Sequence, residues 1–241
     1  MKNYFIILGF LLVYSCHKTE KISIPQEGLV VNIPLDGDAV EIVNNLTGSI
    51  HAVHPYPDHH GIANQAMYFN RDDSAYLDFG DASSFSFPQN IFTLCCWVFV
   101  SDTSQPITIL SKRNATGPFE YSLDNHMAYA VFNFDNWIAS GSTTVYGTDP
   151  LNASLTVETN EWIHIAISAD GFMLRAYRNG YLLPGIDSIK SGNSFSDTDA
   201  PLQIGVGGGY GKYYFFDGAI DDILIYNRAL SSLEIMTIAE L

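Results

Sequence analysis

Between Trp162 and Leu183 two dipeptides, Asp170-Gly171 and Asn179-Gly180, separate three short runs rich in apolar residues. Both dipeptides favour the positive φ values that tight hairpin turns require, because glycine has no Cβ and asparagine tolerates the left-handed region. Ile163, Ile165 and Ile167 alternate with His164, Ala166 and Ser168, the period of two that lines one face of a pleated strand. The segment predicts a three-stranded antiparallel meander, with its second strand over Met173–Arg178 and its third at Tyr181-Leu182-Leu183. A chain so committed to hairpins builds its core from sheets.

The same pattern runs through the chain from Gly28 onward. Leu29 to Leu35, Ala66 to Phe69, Ala75 to Phe79 and Phe92 to Val100 are of strand length, rich in Val, Ile, Phe and Tyr, and cut by Gly, Asn, Asp and Pro. Helical periodicity is confined to the end, where Ser231-Ser232-Leu233-Glu234 has the form of a capping box ahead of Ile235, Met236, Ile238 and Leu241. Many short strands and one closing helix predict an all-β fold, a sandwich or a barrel. No repeat or second boundary interrupts residues 28–241, a length that all-β sandwiches often fill as one domain.

Cys95 and Cys96 are adjacent in a predicted strand, so alternation points them to opposite faces and away from each other. They are expected to be buried small apolar residues, and stability has to come from the core. At the N-terminus Lys2 precedes an apolar run from Tyr4 to Tyr14, shorter than the roughly 20 residues a membrane-spanning helix needs. Residues 1–15 read as a secretory signal peptide and residues 16–27 as a polar linker. Val13-Tyr14-Ser15-Cys16 resembles a bacterial lipobox. That resemblance implies acylation of Cys16, export, and attachment to the outer membrane through lipid alone, each buried methylene adding about 0.8 kcal/mol.

The sequence carries 26 Asp and Glu against 11 Lys and Arg. Such an acidic surface argues against nucleic acid as a partner and is compatible with neutral glycans and with calcium.

Five ordered segments carry a family resemblance. Gly28-Leu29-Val30-Val31-Asn32-Ile33-Pro34-Leu35-Asp36-Gly37 resembles an opening strand and turn, and Gly61 to Phe69 the segment that enters the sandwich. Phe92-Thr93-Leu94-Cys95-Cys96-Trp97-Val98 resembles a central strand, and Trp162-Ile163-His164-Ile165-Ala166 with Tyr177-Arg178-Asn179-Gly180 the meander. Phe216-Asp217-Gly218-Ala219-Ile220-Asp221-Asp222-Ile223-Leu224-Ile225-Tyr226-Asn227-Arg228-Ala229-Leu230-Ser231 resembles the closing strand and helix. Together they are similar to the laminin-G-like jelly rolls of the concanavalin-A-like group. The resemblance implies a two-sheet antiparallel jelly-roll sandwich with one short C-terminal helix. It does not fix function, because this fold hosts lectins, adhesion modules and glycosidases alike.

The resemblance also implies a calcium ion where the first turn meets the last strand, held by Asp36, Asp38 and Glu41 with Asp221 or Asp222. Here the family's Asp- and Gly-rich loop gives way to Glu41-Ile42-Val43-Asn44-Asn45, so Glu41 stands in for an aspartate. His51, His54, His59 and His60 with Asp58 follow no structural zinc spacing and read as ordinary loop residues. His164 reads as a partly buried, satisfied strand histidine. For sugar binding, flat rings that can face the C–H side of a pyranose are sought in loops. Trp137, Tyr210, Tyr213 and Tyr214 are the candidates, with Arg113, Asn114, Asp135 and Asn136 as hydrogen-bonding neighbours, while Trp97 and Trp162 are expected in the core.

Catalysis finds no motif. The paired carboxylates of a glucanase strand and the nucleophile elbow of a hydrolase are missing. Asp221 and Asp222 are neighbours whose side chains are expected to diverge in a strand. The sequence thus predicts a lipid-anchored, non-enzymatic module that binds a glycan or glycoprotein with calcium-ordered loops. The alternatives are an adhesion or assembly scaffold that binds another envelope protein, and behind it a glycoside hydrolase.

Overall fold

A computed structural model describes residues 23–87, 89–113, 119–124, 133–138, 141–145, 158–183, 187–188, 198–207 and 214–241, with the backbone alone at 119, 133–138, 141–145 and 187–188. Two large antiparallel sheets face each other. The first runs Tyr181–Leu182, Met173–Arg178, Trp162–Asp170, Ile91–Val100, Gly218–Tyr226, Ala66–Phe69 and His54–Tyr56, with Leu29–Ile33 also paired to Gly218–Tyr226. The second runs Gly141–Val145, Asn133–Ile138, Phe119–Asp124, Thr108–Arg113, Leu202–Ile204, Tyr76–Asp78 and Ser49–His51. Sequence-distant strands are neighbours in both, as a jelly-roll sandwich requires. The fold is all-β with one C-terminal helix.

The meander forms as its turns dictate. Asn179 and Gly180 both take positive φ (49° and 80°), and Gly171 does so at the other turn (89°), where Asp170 Oδ1 accepts from the N–H groups of Phe172 and Met173. Alternation then sorts the strand Ile91–Val100 into two faces. Leu94, Cys96 and Val98 enter the core between the sheets with Ile163, Ile165, Ile167, Leu110 and Leu202. Cys95 lies in a second cluster on the outer face of the first sheet, with Ala166, Tyr177, Leu224 and Tyr226, under Ile235 and Ile238 of the helix. The cysteines do face opposite ways, and each is fully buried. Burying an aliphatic or aromatic side chain of this kind stabilises by about 1.5–3 kcal/mol.

The helix Ser232–Ala239 starts at the expected capping box. Ser231 Oγ accepts from the Glu234 N–H, and Glu234 Oε2 accepts from the Ser231 N–H. Arg228 grips the same carboxylate at 2.6 and 3.2 Å and holds it down to about 2. Thus the helix covers only one end of the first sheet's outer face. The rest of that face carries the candidate site.

Candidate functional site

Residues 57–65 connect two strands of the first sheet and cross its outer face. Asp58 shapes this loop: its Oδ1 accepts from the N–H groups of His60 (3.0 Å) and Ile62 (2.6 Å), and its backbone closes on Ile62 and Gly61. The tight turn presses His59 flat onto Trp97, with ring centroids 4.1 Å apart and planes 10° from parallel. The His59 side chain keeps 8% of its exposure, and neither ring nitrogen has a hydrogen-bond partner. Its Nδ1 lies 3.6 Å from Asp221 Oδ2.

The strand Gly218–Tyr226 brings two carboxylates to that ring through a bulge. Asp221 pairs with Trp97 and Leu224 with Cys95, so three steps on one strand oppose two on the other. The extra residue takes a left-handed φ of 46° at Asp222, whose N–H donates to Asp221 Oδ1 (2.9 Å). A bulge re-aims a side chain that regular alternation would send to the other face. The expected divergence of the Asp pair is therefore overturned: ligand atoms of His59, Asp221 and Asp222 all lie within 4.8 Å of one another. Asp222 also lines a recess with Asn32, Pro34, Trp97 and Leu224.

Electrostatically this corner favours a cation. Burial, then repulsion from Asp58 and Asp36, pushes the Asp221 carboxyl up to about 8. Burial and the neighbouring Asp221 push Asp222 up to about 7, with Asp36 and Asp58 adding to the shift. Asp36 is raised by burial, Asp38 and Asp58. Burial and His60 lower His59. Carboxyls reluctant to ionise are what burial and an uncompensated cluster of acids produce, whereas His59 is lowered by burial and His60 against the pull of Asp222 and Asp58.

Beyond Trp97 the outer face continues as a row of rings. Tyr68 and Phe99 both pair with Ala219 across the central strand, and Trp162 pairs with Phe99. Tyr56 leans over the small Ala219, 5.2 Å from Tyr68 and 5.9 Å from Phe99, and Phe99 lies 5.8 Å from Trp162. All four are half-buried, and Trp162 meets His59 edge-on at 6.4 Å. Trp97 and Trp162 were expected in the core. They lie instead on the outer face, because odd-numbered residues of Ile91–Val100, with their partners in Trp162–Asp170, point away from the second sheet.

Residues 71–236 match the laminin-G model described as the concanavalin A-like lectin/glucanases superfamily. The chain belongs to this superfamily. No curated protein matches the sequence. Among solved structures it is similar to domain 4 of AbnA, a GH43 extracellular arabinanase from Geobacillus stearothermophilus, in complex with arabinotriose, at 18% identity and a TM-score of 0.67. That likeness covers 88% of this chain and 98% of the domain. The binding domain of Paraclostridial Mosquitocidal Protein 1 is similar at 16% identity and a TM-score of 0.67, over 88% of this chain and 52% of that one. The Botulinum neurotoxin serotype G binding domain is similar at 13% identity and a TM-score of 0.62, over 88% and 50%. This chain thus spans about half of either toxin structure, and the likeness at these identities is one of fold.

In this superfamily member, Asp36 and Asp58 lie near enough to Asp221 and Asp222 to raise their carboxyls, Asp38 stands beside Asp36, and His59 is the residue whose ligand atoms join those of the closing-strand pair. Glu41 is differently employed. Its Oε1 accepts from the N–H groups of Asn32 (3.0 Å) and Val43 (2.8 Å), and its Oε2 from the N–H (2.8 Å) and Nδ2 (3.1 Å) of Asn44. It is fully buried, and its oxygens tie its own loop to the strand Leu29–Ile33. His59 carries a signal that sequence reading passed over, an Asp immediately before it and a Gly two residues after it; the histidine spacing alone concealed its burial. His164 is buried as expected but not satisfied: both ring nitrogens lack partners, and burial holds it down to about 3. Of the expected sugar ligands, Asp135, Asn136 and Trp137 lie on Asn133–Ile138, opposite Ser122, Tyr121 and Ser142 in the second sheet. Arg113 is half-buried at the end of Thr108–Arg113, and Tyr214 is exposed. Cys16, Asn114, Tyr210 and Tyr213 fall outside the described residues.

Proposed function

We propose that this chain is a glycan-binding module, tethered to an outer membrane through lipid on Cys16 and without catalytic activity of its own. The observation that carries the reading is the row of half-buried rings Tyr68, Tyr56, Phe99 and Trp162 beside an acidic, cation-favouring pocket. Rings set shoulder to shoulder offer the apolar platform that pyranose and furanose C–H faces use, and nearby polar groups fix orientation. Tyr68 Oη lies 3.2 Å from Ser101 Oγ and 3.4 Å from Asp217, and Arg71 pairs with Asp102 at 2.9 Å, so polar partners rim the row. The arabinotriose complex of a domain that this chain covers almost entirely supports a glycan as the ligand class. A divalent cation held by Asp36, Asp38, Asp221 and Asp222 would order the loops beside the rings; calcium is the ion expected from sequence.

The test is binding of the full chain, with Cys16→Ser for solubility, to a broad glycan array in calcium and again in chelator. Signal on one sugar class that is lost in Trp162→Ala and Tyr56→Ala supports the reading. If those variants bind as before and Trp137→Ala or Tyr214→Ala does not, the ligand sits on the second sheet. A second reading, a protein partner from the cell envelope, draws on Tyr181 and Leu182, which are 70% and 44% exposed on an edge strand of the first sheet. Edge strands present unpaired backbone groups to other chains. A blank array from folded protein would favour it.

A further inference from the structure

The acidic pocket contains a group that an all-oxygen calcium site has no use for. His59 is more than nine-tenths buried, both of its ring nitrogens are without a partner, and Nδ1 points at Asp221 Oδ2 from 3.6 Å. An unpartnered buried imidazole costs free energy in the ion-free protein, as any unsatisfied buried polar group does. The loop nevertheless holds it there by three separate means: the two hydrogen bonds to Asp58 Oδ1, the stack on Trp97, and the contact with His60, whose own Nε2 meets the Leu241 backbone oxygen at 2.7 Å. The bulge at Asp222 works to the same end, bringing a second carboxylate within 4.8 Å.

We infer that His59, Asp221 and Asp222 form a three-ligand site for zinc or a similar borderline divalent cation, with imidazole as the selecting ligand. This deepens the cation part of the proposed function and rests on it. The chemistry discriminates. Calcium takes six to eight oxygens and has no preference for nitrogen, whereas zinc is bound by imidazole and carboxylate at about 2.0–2.2 Å and is content with three protein ligands and a water. Two ligands of a tetrahedral ion at those distances stand roughly 3.4 Å apart. The 3.6 Å between Nδ1 and Oδ2 needs only a small side-chain adjustment to meet that. Water would complete the coordination from the recess beside Asp222.

The experiment is isothermal titration of the chelator-stripped full chain carrying Cys16→Ser with Zn²⁺ and, separately, Ca²⁺, supported by the visible spectrum of its Co²⁺ form. One zinc per chain, bound at least tenfold more tightly than calcium, is expected, with the Co²⁺ bands of a four-coordinate nitrogen and oxygen site. His59→Ala should lose zinc at least tenfold and leave calcium unchanged, with near-ultraviolet circular dichroism reporting that the fold survives. His54→Ala should keep zinc. Equal zinc affinity in wild type and His59→Ala, or calcium bound as tightly as zinc, overturns the inference while leaving the glycan reading to its own array test.

Discussion

The imidazole of His59 and the indole of Trp97 lie face to face at 4.1 Å, so the ring that faces the acidic pair rests on the first sheet itself. Positioning is thereby tied to stability. Trp97→Ala should cost about 2 kcal/mol in urea unfolding, from lost burial and the aromatic contact together. It should also weaken zinc binding at least severalfold, because the freed imidazole must be ordered again on each binding event. Trp97→Phe, which keeps a ring under His59, should restore most of both.

The acidic pair predicts a pH dependence with a definite sign. In the folded, ion-free chain the carboxyls of Asp221 and Asp222 are raised to about 8 and 7, so the folded state holds protons that the unfolded state has released. That contribution is fully present below the unfolded carboxyl value and is lost as pH rises through 7 and 8. His164, held down to about 3, acts oppositely, its stabilisation being lost as pH falls below the ordinary histidine range. In chelator, then, the melting temperature should fall from pH 6.5 to 9. The Asp221→Asn, Asp222→Asn double variant should flatten that slope, and so should a saturating divalent ion. A slope unchanged in the double variant would assign it to other groups.

Glu41 separates loop order from metal binding. Hydrogen bonds to a charged group contribute about 1.5–3 kcal/mol each in favourable settings, and this carboxylate accepts four. Glu41→Ala should lower unfolding free energy by about 3 kcal/mol. Affinity for a divalent ion, measured by titration below the melting temperature, should change less than threefold.

Lys112 and Glu120 form a fully buried pair at 2.7 Å, with Asp81 at 2.8 Å from the same ammonium and the Ala200 carbonyl as a further acceptor. Lys112→Met leaves a buried carboxylate without its partner and should cost about 3–5 kcal/mol. Adding Glu120→Leu should recover much of that loss. If the two changes simply add in denaturant titrations, the pair has no coupling.

Local grammar made much of this fold readable. Asn179-Gly180 sets the hairpin that it encodes, Ser231 and Glu234 cap the helix as their spacing requires, and Cys95 and Cys96 divide between faces as alternation demands. Which side of a sheet is outside is a different kind of information. The outward facing of Trp97 and Trp162 follows from where the second sheet docks, a contact between strands far apart in sequence, and aromatic strand residues look the same on either face. The site was half-readable for the same reason. Asp36 and Asp38 stand out in an acidic turn and Asp221-Asp222 as an acidic pair in the closing strand, but His59 reaches that pair only because a loop folds across the sheet, and Glu41 is withdrawn because four N–H groups take its oxygens.

Asp222 is surplus to the ladder. Were it deleted, Asp221 would still face Trp97, Ile223 would still point inward, and Leu224 would follow at Cys95 in unbroken register. The left-handed backbone, worth about 1–2 kcal/mol of strain in a residue with a Cβ, would vanish with it. What the extra residue adds is the second carboxylate beside His59, and a one-residue deletion becomes the cleanest way to ask what the protein does without it.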